Sequence, residues 1–324
     1  MTGLVMQALF DWNLKLLRRE VGGRVLTRCI RMADRAARRW RPNSTVGWTY
    51  CGVTLRIPYG HILPRILFAY PGYSSNLARI AAACASKYED ATMIDIGANI
   101  GDSTALVRGA TSMPVLCVEG DQAYLDLLVP SVQDLNGVEV EPSFLGAEDT
   151  TIRGAVVSNE GNTYIDVSGR RASSAIEVRR LDSVLARHPA FAHPRLIKVD
   201  ADGFDGIILR SAKALLAAEQ PIVFFEFDPF FLTQQGDDGV SIFAMLTEAG
   251  YEELLVWDNF GDFMMSMRTT QTAMLQEVHQ YFSGRNGLRY ADIAVFAQKD
   301  LDVMRAIIVK ETEVAAERQR LSRS

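Results

Sequence analysis

Two clusters in this 324-residue chain have residue types and spacing that could do chemistry. In the first, Met93 to Ser103, the apolar run Met93-Ile94-Asp95-Ile96 leads through Gly97-Ala98-Asn99-Ile100-Gly101 into the start of a helix at Asp102-Ser103. Gly97 and Gly101 open backbone conformations closed to other residues and let a ligand approach the main chain. Asp95 puts a carboxylate at the strand end, where it suits an ammonium group and would repel a pyrophosphate. The second cluster is Lys198-Val199-Asp200-Ala201-Asp202, with Glu226 following inside Phe224-Phe225-Glu226-Phe227-Asp228. Two acids and a lysine this close could orient or deprotonate a hydroxyl group, and their crowding would shift their pKa values. Asp200 is the first candidate base, with Asp202, Glu226 and Lys198 completing the catalytic set. The plainer alternative makes Asp202 the cap of a helix beginning at Phe204 and Lys198 the internal partner of an acid.

The glycine turn separates cofactor classes. A dinucleotide site carries G-x-G-x-x-G, but Asn99 stands where the middle glycine would be. A P-loop is excluded because no Lys-Ser or Lys-Thr follows Gly101. The next apolar run, Val115-Leu116-Cys117-Val118, ends in Glu119, where nucleoside-binding sheets place the acid that accepts ribose hydroxyls. Ala98, Ser103 and Gly120 complete the expected cofactor loops. Leu145 and Gly146, after Phe144, end the third strand where an adenine ring would meet apolar side chains, although a strand ending near Val157 fits equally well.

These residues need a sheet to bring them together. From Thr92 onward, strand-like runs alternate with helical patterns, as in a sheet covered by helices. The runs are Thr92 to Ile96, Val115 to Glu119, Val138 to Leu145, Arg195 to Val199, Ile222 to Phe227, Glu252 to Trp257 and Asp292 to Ala297. Helices are expected at Ser103 to Arg108, Asp121 to Leu135, Leu181 to Arg187, Phe204 to Ala218 and Val240 to Ala249. The reading is an α/β fold with a seven-stranded, mostly parallel sheet, helices on both faces, and an N-terminal helical extension. Residues 1–60 form that basic extension, 61–300 the catalytic domain, and 301–324 a C-terminal helix and tail, with Lys310 to Ser324 fraying into disorder. Thr150 to Arg180 is expected to be an inserted hairpin or loop around Asn159-Glu160-Gly161-Asn162. Tyr59 to Ala85, with Pro58 just ahead of it and Pro64 and Pro71 inside it, should begin as turns and become helical after Ser74. It could form a lid in which His61, Tyr70, Tyr73 and Asn76 meet a substrate. His188 and His193 fall in a loop before the fourth strand, where histidines are commonly surface residues.

Charge is divided unevenly. The chain carries a net −5, yet residues 1–41 hold ten Lys or Arg against Asp11, Glu20 and Asp34, giving +7 there and −12 elsewhere. A nucleic-acid role for the main body is therefore disfavoured. Cys29, Cys51, Cys84 and Cys117 make no CxxC or Cys/His cluster, so they read as reduced and structural. No apolar run is long enough to span a bilayer and the start lacks a secretory order, so a cytoplasmic location is the default expectation. In the N-terminal arm, Leu4, Ala8, Phe10, Leu14 and Leu17 approximate a helical stripe beside Arg18, Arg19, Arg24, Arg28, Arg31, Arg35, Arg38 and Arg39. Such an arm could rest on an anionic membrane surface. The preferred reading packs it on the catalytic domain or on a second subunit of a homo-oligomer.

Several blocks together resemble the FkbM family of methyltransferases: Ile94 to Gly101, Ala155 to Gly161, Arg180-Leu181-Asp182, Leu196 to Asp205, and Pro221 to Glu226. The resemblance spans about residues 92–230. It implies a Rossmann-like class I methyltransferase fold, S-adenosyl-L-methionine as methyl donor, and O-methylation of a hydroxyl on a sugar, polyketide or related small-molecule acceptor. The donor would be held by Asp95, Gly97, Asn99, Gly101 and Glu119. One departure stands out: the family usually has Glu where this chain has Asp202 and Asp205, which keeps the carboxylates but shortens their reach. Asp200, Asp202, Glu226 and Asp228 could instead offer oxygen ligands to Mg²⁺, but the family is not generally viewed as metal-dependent and no metal is expected. A nicotinamide-dependent oxidoreductase and a non-catalytic binding protein are the two alternative functions.

Overall fold

The computed structural model describes residues 3–20, 23–159, 162–166, 174–284 and 289–321. Eight strands form the central sheet: β1 (Met93–Ile96), β2 (Val115–Glu119), β3 (Val138–Pro142), β4 (Leu196–Val199), β5 (Ile222–Phe227), β6 (Tyr251–Asp258), β7 (Phe263–Arg268) and β8 (Ala291–Ala297). Their spatial order is β7-β6-β8-β5-β4-β1-β2-β3. The neighbours from β5 through β4, β1 and β2 to β3 run parallel, while β8 lies antiparallel between β5 and β6 and β7 hairpins back on β6. The order reverses between β1 and β4, which puts a crevice at their carboxyl ends, the usual ligand position in an open α/β sheet.

Both faces of the sheet are covered, as its continuous apolar runs require. Ile94, Leu116, Ile197 and Phe225 join one core with the helices Leu181–Leu185, Asp205–Ser211, Lys213–Glu219, Ser241–Glu248 and Thr272–Phe282. The alternate residues Met93, Cys117, Leu196 and Phe224 join a second core with Ser75–Lys87, Asp102–Ala110, Gln122–Val132 and Leu301–Leu321.

Four features depart from the sequence reading. The sheet has eight strands because Phe263–Arg268 pairs with β6 at the edge. The first sixty residues are not helical throughout: after Gly3–Leu17 and Arg24–Trp40, Thr45–Tyr50 and Val53–Pro58 form an antiparallel hairpin. Its two turn residues, Cys51 and Gly52, both have positive φ, 48° and 82°, the geometry that closes a two-residue hairpin with the right twist. The third run divides at Ser143, so that Phe144–Leu145 leaves the central sheet and pairs with Ser174–Arg179, beside Thr150–Asn159 and Asn162–Asp166, in a four-stranded sheet. Glu160 and Gly161 of the expected insert lie outside the described residues. Finally, the terminal helix continues to Leu321, because buried Glu311 forms a two-pronged pair with Arg79, at 2.6 and 3.0 Å.

A third core ties the N-terminal helices to the domain. Met6, Phe10 and Ala37 pack with Leu55 and Ile57 of the hairpin and with Ile100, Tyr124 and Leu127. Among the described residues, no helix is long and apolar enough to cross a membrane.

Candidate active site

A cavity of about 740 Å³ opens at the carboxyl ends of β1, β2, β4 and β5. One half is lined by Gly97, Asn99, Ser103, Glu119, Gly120, Phe144, Leu145 and Gly146, and the other by Lys198, Asp200, Asp202, Glu226, Tyr290 and Asp292. The sequence-derived donor and catalytic residues thus meet in one space. Three are exceptions: Asp95, Ala98 and Gly101 lie behind the wall and do not line it.

At Gly97 the backbone has φ of 72° and runs against β4 so closely that an added Cβ would sit 1.8 Å from the Asp200 carbonyl oxygen. Any side chain there would force the two strand ends apart, so the glycine fixes the position of Asp200 as well as its own turn. Glu119, 7% exposed, accepts backbone N–H bonds from Asn99 at 2.9 Å and Asp121 at 2.8 Å, one on each oxygen. Burial raises its pKa, while those N–H groups act in the opposite direction. Each oxygen retains acceptor capacity for a second donor facing the cavity.

Asp95 has no solvent exposure. Its Oδ2 accepts from Ser103 Oγ at 2.5 Å and Thr104 Oγ1 at 2.8 Å, and its Oδ1 is 3.3 Å from Lys198 Nζ. The reason is the sheet register: Lys198 and Asp95 are partners across β4 and β1. Asp95 therefore does not present its carboxylate to the cavity, as the sequence suggested. It anchors a lysine whose Nζ also lies 3.3 Å from Asp200 Oδ2 and donates to the Gly97 carbonyl at 2.9 Å. Burial opposes the lysine's charge, but Asp200, Asp95 and Asp102 outweigh it and hold its pKa above the ordinary value.

Lys198 is the sole lysine or arginine among the described lining residues, against seven carboxylates. That imbalance favours protonated acids. Burial pushes Asp102 up to about 6, with Lys198 working against the shift. Burial also raises Asp292 to about 7, opposed by the hydrogen bond from Asn76 Nδ2 at 2.8 Å and reinforced by Asp200 and Asp258. Glu226 is raised well above the carboxylate range by burial first, then by Asp200, Asp205, Asp202 and Asp228. Glu226 and Asp292 are direct cross-strand partners on β5 and β8.

The turn after β4 is a built structure. Asp202 has φ of 48°, and buried Asp205 accepts from the backbone N–H groups of Ala201 at 3.3 Å and Gly203 at 3.2 Å. The short acid folds the loop back on itself, so Asp205 rather than Asp202 opens the following helix, Asp205–Ser211. Asp228 caps the helix Pro229–Gln234 through the N–H of Phe230 and does not line the cavity. Among the described residues, no three His, Cys, Asp or Glu are grouped to hold a metal ion.

The proline-rich segment does form a wall. His61, Tyr70 and Tyr73 line the cavity, and burial lowers the His61 pKa to about 4. Tyr70 stacks on Phe260 with ring centroids 3.9 Å apart, and the Tyr73 and Tyr290 hydroxyls are 3.4 Å apart. Asn76 lies behind, on Asp292. His188 binds Glu139 and Glu141, and His193 binds Glu219, away from the cavity. Sequence reasoning missed Asp102, Asp292 and Tyr290. Asp292 had a readable signal, an acid opening an otherwise apolar strand.

Residues 95–253 match the model of the methyltransferase FkbM domain. This segment belongs to the FkbM methyltransferase family. It spans β1 to β6 and carries both halves of the cavity's floor, while Asp292, Tyr290 and the His61 to Tyr73 wall come from outside the FkbM domain. Among solved structures, the FkbM methyltransferase from Methylobacillus flagellatus KT is similar at 22% identity and a TM-score of 0.35, over 51% of this chain and 40% of that one. This chain therefore spans well under half the length of that protein. The precorrin-6y C5,15-methyltransferase from Geobacter metallireducens GS-15 is similar at 11% identity, over 68% of this chain and 87% of that one, with a TM-score of 0.37. The plantazolicin methyltransferase BpumL, solved with S-adenosylhomocysteine, is similar at 8% identity, over 73% and 88%, with a TM-score of 0.35. No curated protein matches the chain.

Proposed function

We propose that the chain is an S-adenosylmethionine-dependent O-methyltransferase acting on a hydroxyl of a small-molecule acceptor, such as a sugar or secondary metabolite. The observation that carries this reading is the cavity joining a nucleoside-type cradle to a pair of half-buried acids, Glu226 and Asp292, whose proton affinity is raised. The residues present fit the donor. Glu119 retains acceptor capacity for ribose hydroxyls, Phe144 and Leu145 offer an apolar surface to a purine, and the bare backbone at Gly97 permits close approach. Asp102 and Asp200, which line the same cavity, are the acids to meet an ammonium group, a role that the position of Asp95 denies it.

S-adenosylmethionine, when bound, supplies an electrophilic methyl group on a sulfonium. The protein must align the acceptor oxygen and remove its proton. Lys198 holds the Asp200 carboxylate in place at 3.3 Å, so Asp200 suits a hydrogen bond that orients the acceptor hydroxyl. Glu226 is the better proton acceptor, because a carboxylate with raised pKa holds a captured proton more firmly. Tyr73 and Tyr290 bring hydroxyls to the same wall and Phe260 an aromatic face, a surface suited to a polar ring.

The test has two arms. Titration calorimetry with S-adenosylhomocysteine should show binding to the wild type and to Glu226→Gln alike. The Gln variant should lose about 10²- to 10⁴-fold in methyl transfer to an acceptor found by screening hydroxylated metabolites with labelled donor. Absence of S-adenosylhomocysteine binding at millimolar concentration would overturn the donor assignment, and full turnover by Glu226→Gln would overturn the proton-acceptor role.

A further inference from the structure

The helix Arg24–Trp40 carries three different faces. Ile30 and Ala37 are buried, and Asp34 between them is held by Arg38 at 3.0 Å and by the Tyr59 hydroxyl at 2.9 Å. That face fixes the helix to the domain. A second face repeats at three- and four-residue steps as Arg24, Arg28, Arg31, Arg35 and Arg39, all exposed. Among the described residues, no carboxylate lies within ion-pair distance of any of these five. One position further along at each step runs a third face, Val25, Cys29, Met32, Ala36 and Trp40, and it is apolar. Val25 is 78% exposed, Met32 62% and Trp40 73%.

We propose that this helix docks in the plane of an anionic lipid bilayer. Residues three and four apart share one side of a helix, so the arginine and apolar rows are parallel and about 100° apart around the axis. A row of arginines alone would suit any polyanion, and an apolar row alone would suit a second copy of the chain. Side by side they match the boundary between phosphate headgroups and acyl chains, with tryptophan at the level of the interface. The charge division of the chain supports a bilayer occupant: the −12 body would be repelled from the surface that the +7 arm approaches, which orients the molecule on the membrane.

The docking face is joined to the cavity. Arg38 lies over the Tyr59 ring at 5.5 Å, and Asn13 of the first helix donates to the Tyr59 hydroxyl at 3.1 Å. Tyr59 lies two residues ahead of His61, which lines the wall with Ile62 and Leu63. On the same segment Ile62, Phe68 and Tyr70 are 46%, 47% and 44% exposed. The arm and the cavity wall therefore share one rigid connection. This inference stands apart from the methyl-transfer reading and can fail or hold without it.

The full-length protein should be sedimented with vesicles of phosphatidylglycerol and phosphatidylcholine in equal parts, and with vesicles of phosphatidylcholine alone. Binding is expected to the anionic vesicles only. Arg28→Gln/Arg31→Gln/Arg35→Gln should lower the partition coefficient about a hundredfold, each arginine near the surface accounting for a factor of about five. Met32→Asp/Trp40→Asp should lower it at least about tenfold with helicity unchanged, since both side chains are already in solvent. Wild-type protein that stays in the supernatant at lipid on the order of 1 mM would overturn the proposal. So would undiminished vesicle binding by the Met32/Trp40 variant, which would reduce the contact to a general affinity for polyanions such as nucleic acid. A dimer in light scattering that this variant splits, without vesicle binding by the wild type, would assign the face to a second copy instead.

Discussion

Replacing Lys198 by Met leaves the stem's volume nearly intact and removes the charge that Asp95 and Asp200 face. At 3.3 Å from each acid, and with an effective dielectric of about 20, each pair has a gross attraction of about 5 kcal/mol. The Asp200 share is cut by solvent, since its side chain is 46% exposed. The Asp95 share is not, because that residue has no exposure and only two hydroxyls remain to it. Lys198→Met should therefore cost about 3–5 kcal/mol, the usual penalty for orphaning one half of a buried pair. Urea unfolding at pH 7 should show this deficit, and Asp95→Asn in the same chain should restore much of it. A deficit below about 1 kcal/mol would refute the account of Lys198 as the support of the cavity floor.

Gly97→Ala combines positive φ with a contact of 1.8 Å to the Asp200 carbonyl oxygen, so it should cost more than about 2 kcal/mol in thermal or urea unfolding and abolish S-adenosylhomocysteine binding. Glu119→Gln keeps the shape but weakens two charge-assisted N–H contacts, and calorimetry should show S-adenosylhomocysteine affinity reduced about 10- to 100-fold. Asp292, with its pKa raised to about 7 by burial, lends stability that is fully present below about pH 4 and is lost as the pH climbs through about 7. Asp292→Asn should flatten the wild-type fall in unfolding free energy between pH 5 and pH 8, by an amount on the order of 2 kcal/mol after allowance for partial solvent contact.

One half of the cavity was legible because one short stretch supplies most of it. Gly97, Asn99 and Ser103 sit on a single strand-turn-helix unit, and Glu119 ends the adjoining strand, so local pattern and the rule for strand ends suffice. The role of Asp95 was not legible, because its direction is set by Lys198 on a strand a hundred residues later that happens to be its register partner. Asp102 was hidden as an ordinary first-turn acid of a helix, where a carboxylate needs no special explanation. Asp292 and Tyr290 depend on β8 being antiparallel between β5 and β6, a placement that periodicity alone does not reveal. The hairpin Thr45–Tyr50/Val53–Pro58 was obscured by its neighbours, since a basic helical arm and a proline-rich wall flank it closely.

The insertion of β8 between two earlier strands also bears on how the molecule is assembled. Strands β1 to β4, with Glu119 and Gly97, can pair while the later chain is still unstructured, because each is the spatial neighbour of another member of that group. The Asp292 side has no such freedom: β6 and β7 can form a hairpin early, but they join the sheet only through β8, whose pairing with β5 spans a long loop and is entropically slow to close. Refolding should thus complete the side of the cavity that holds Gly97 and Glu119 before the side that holds Asp292, and the last event would fix the cross-strand contact between Glu226 and Asp292.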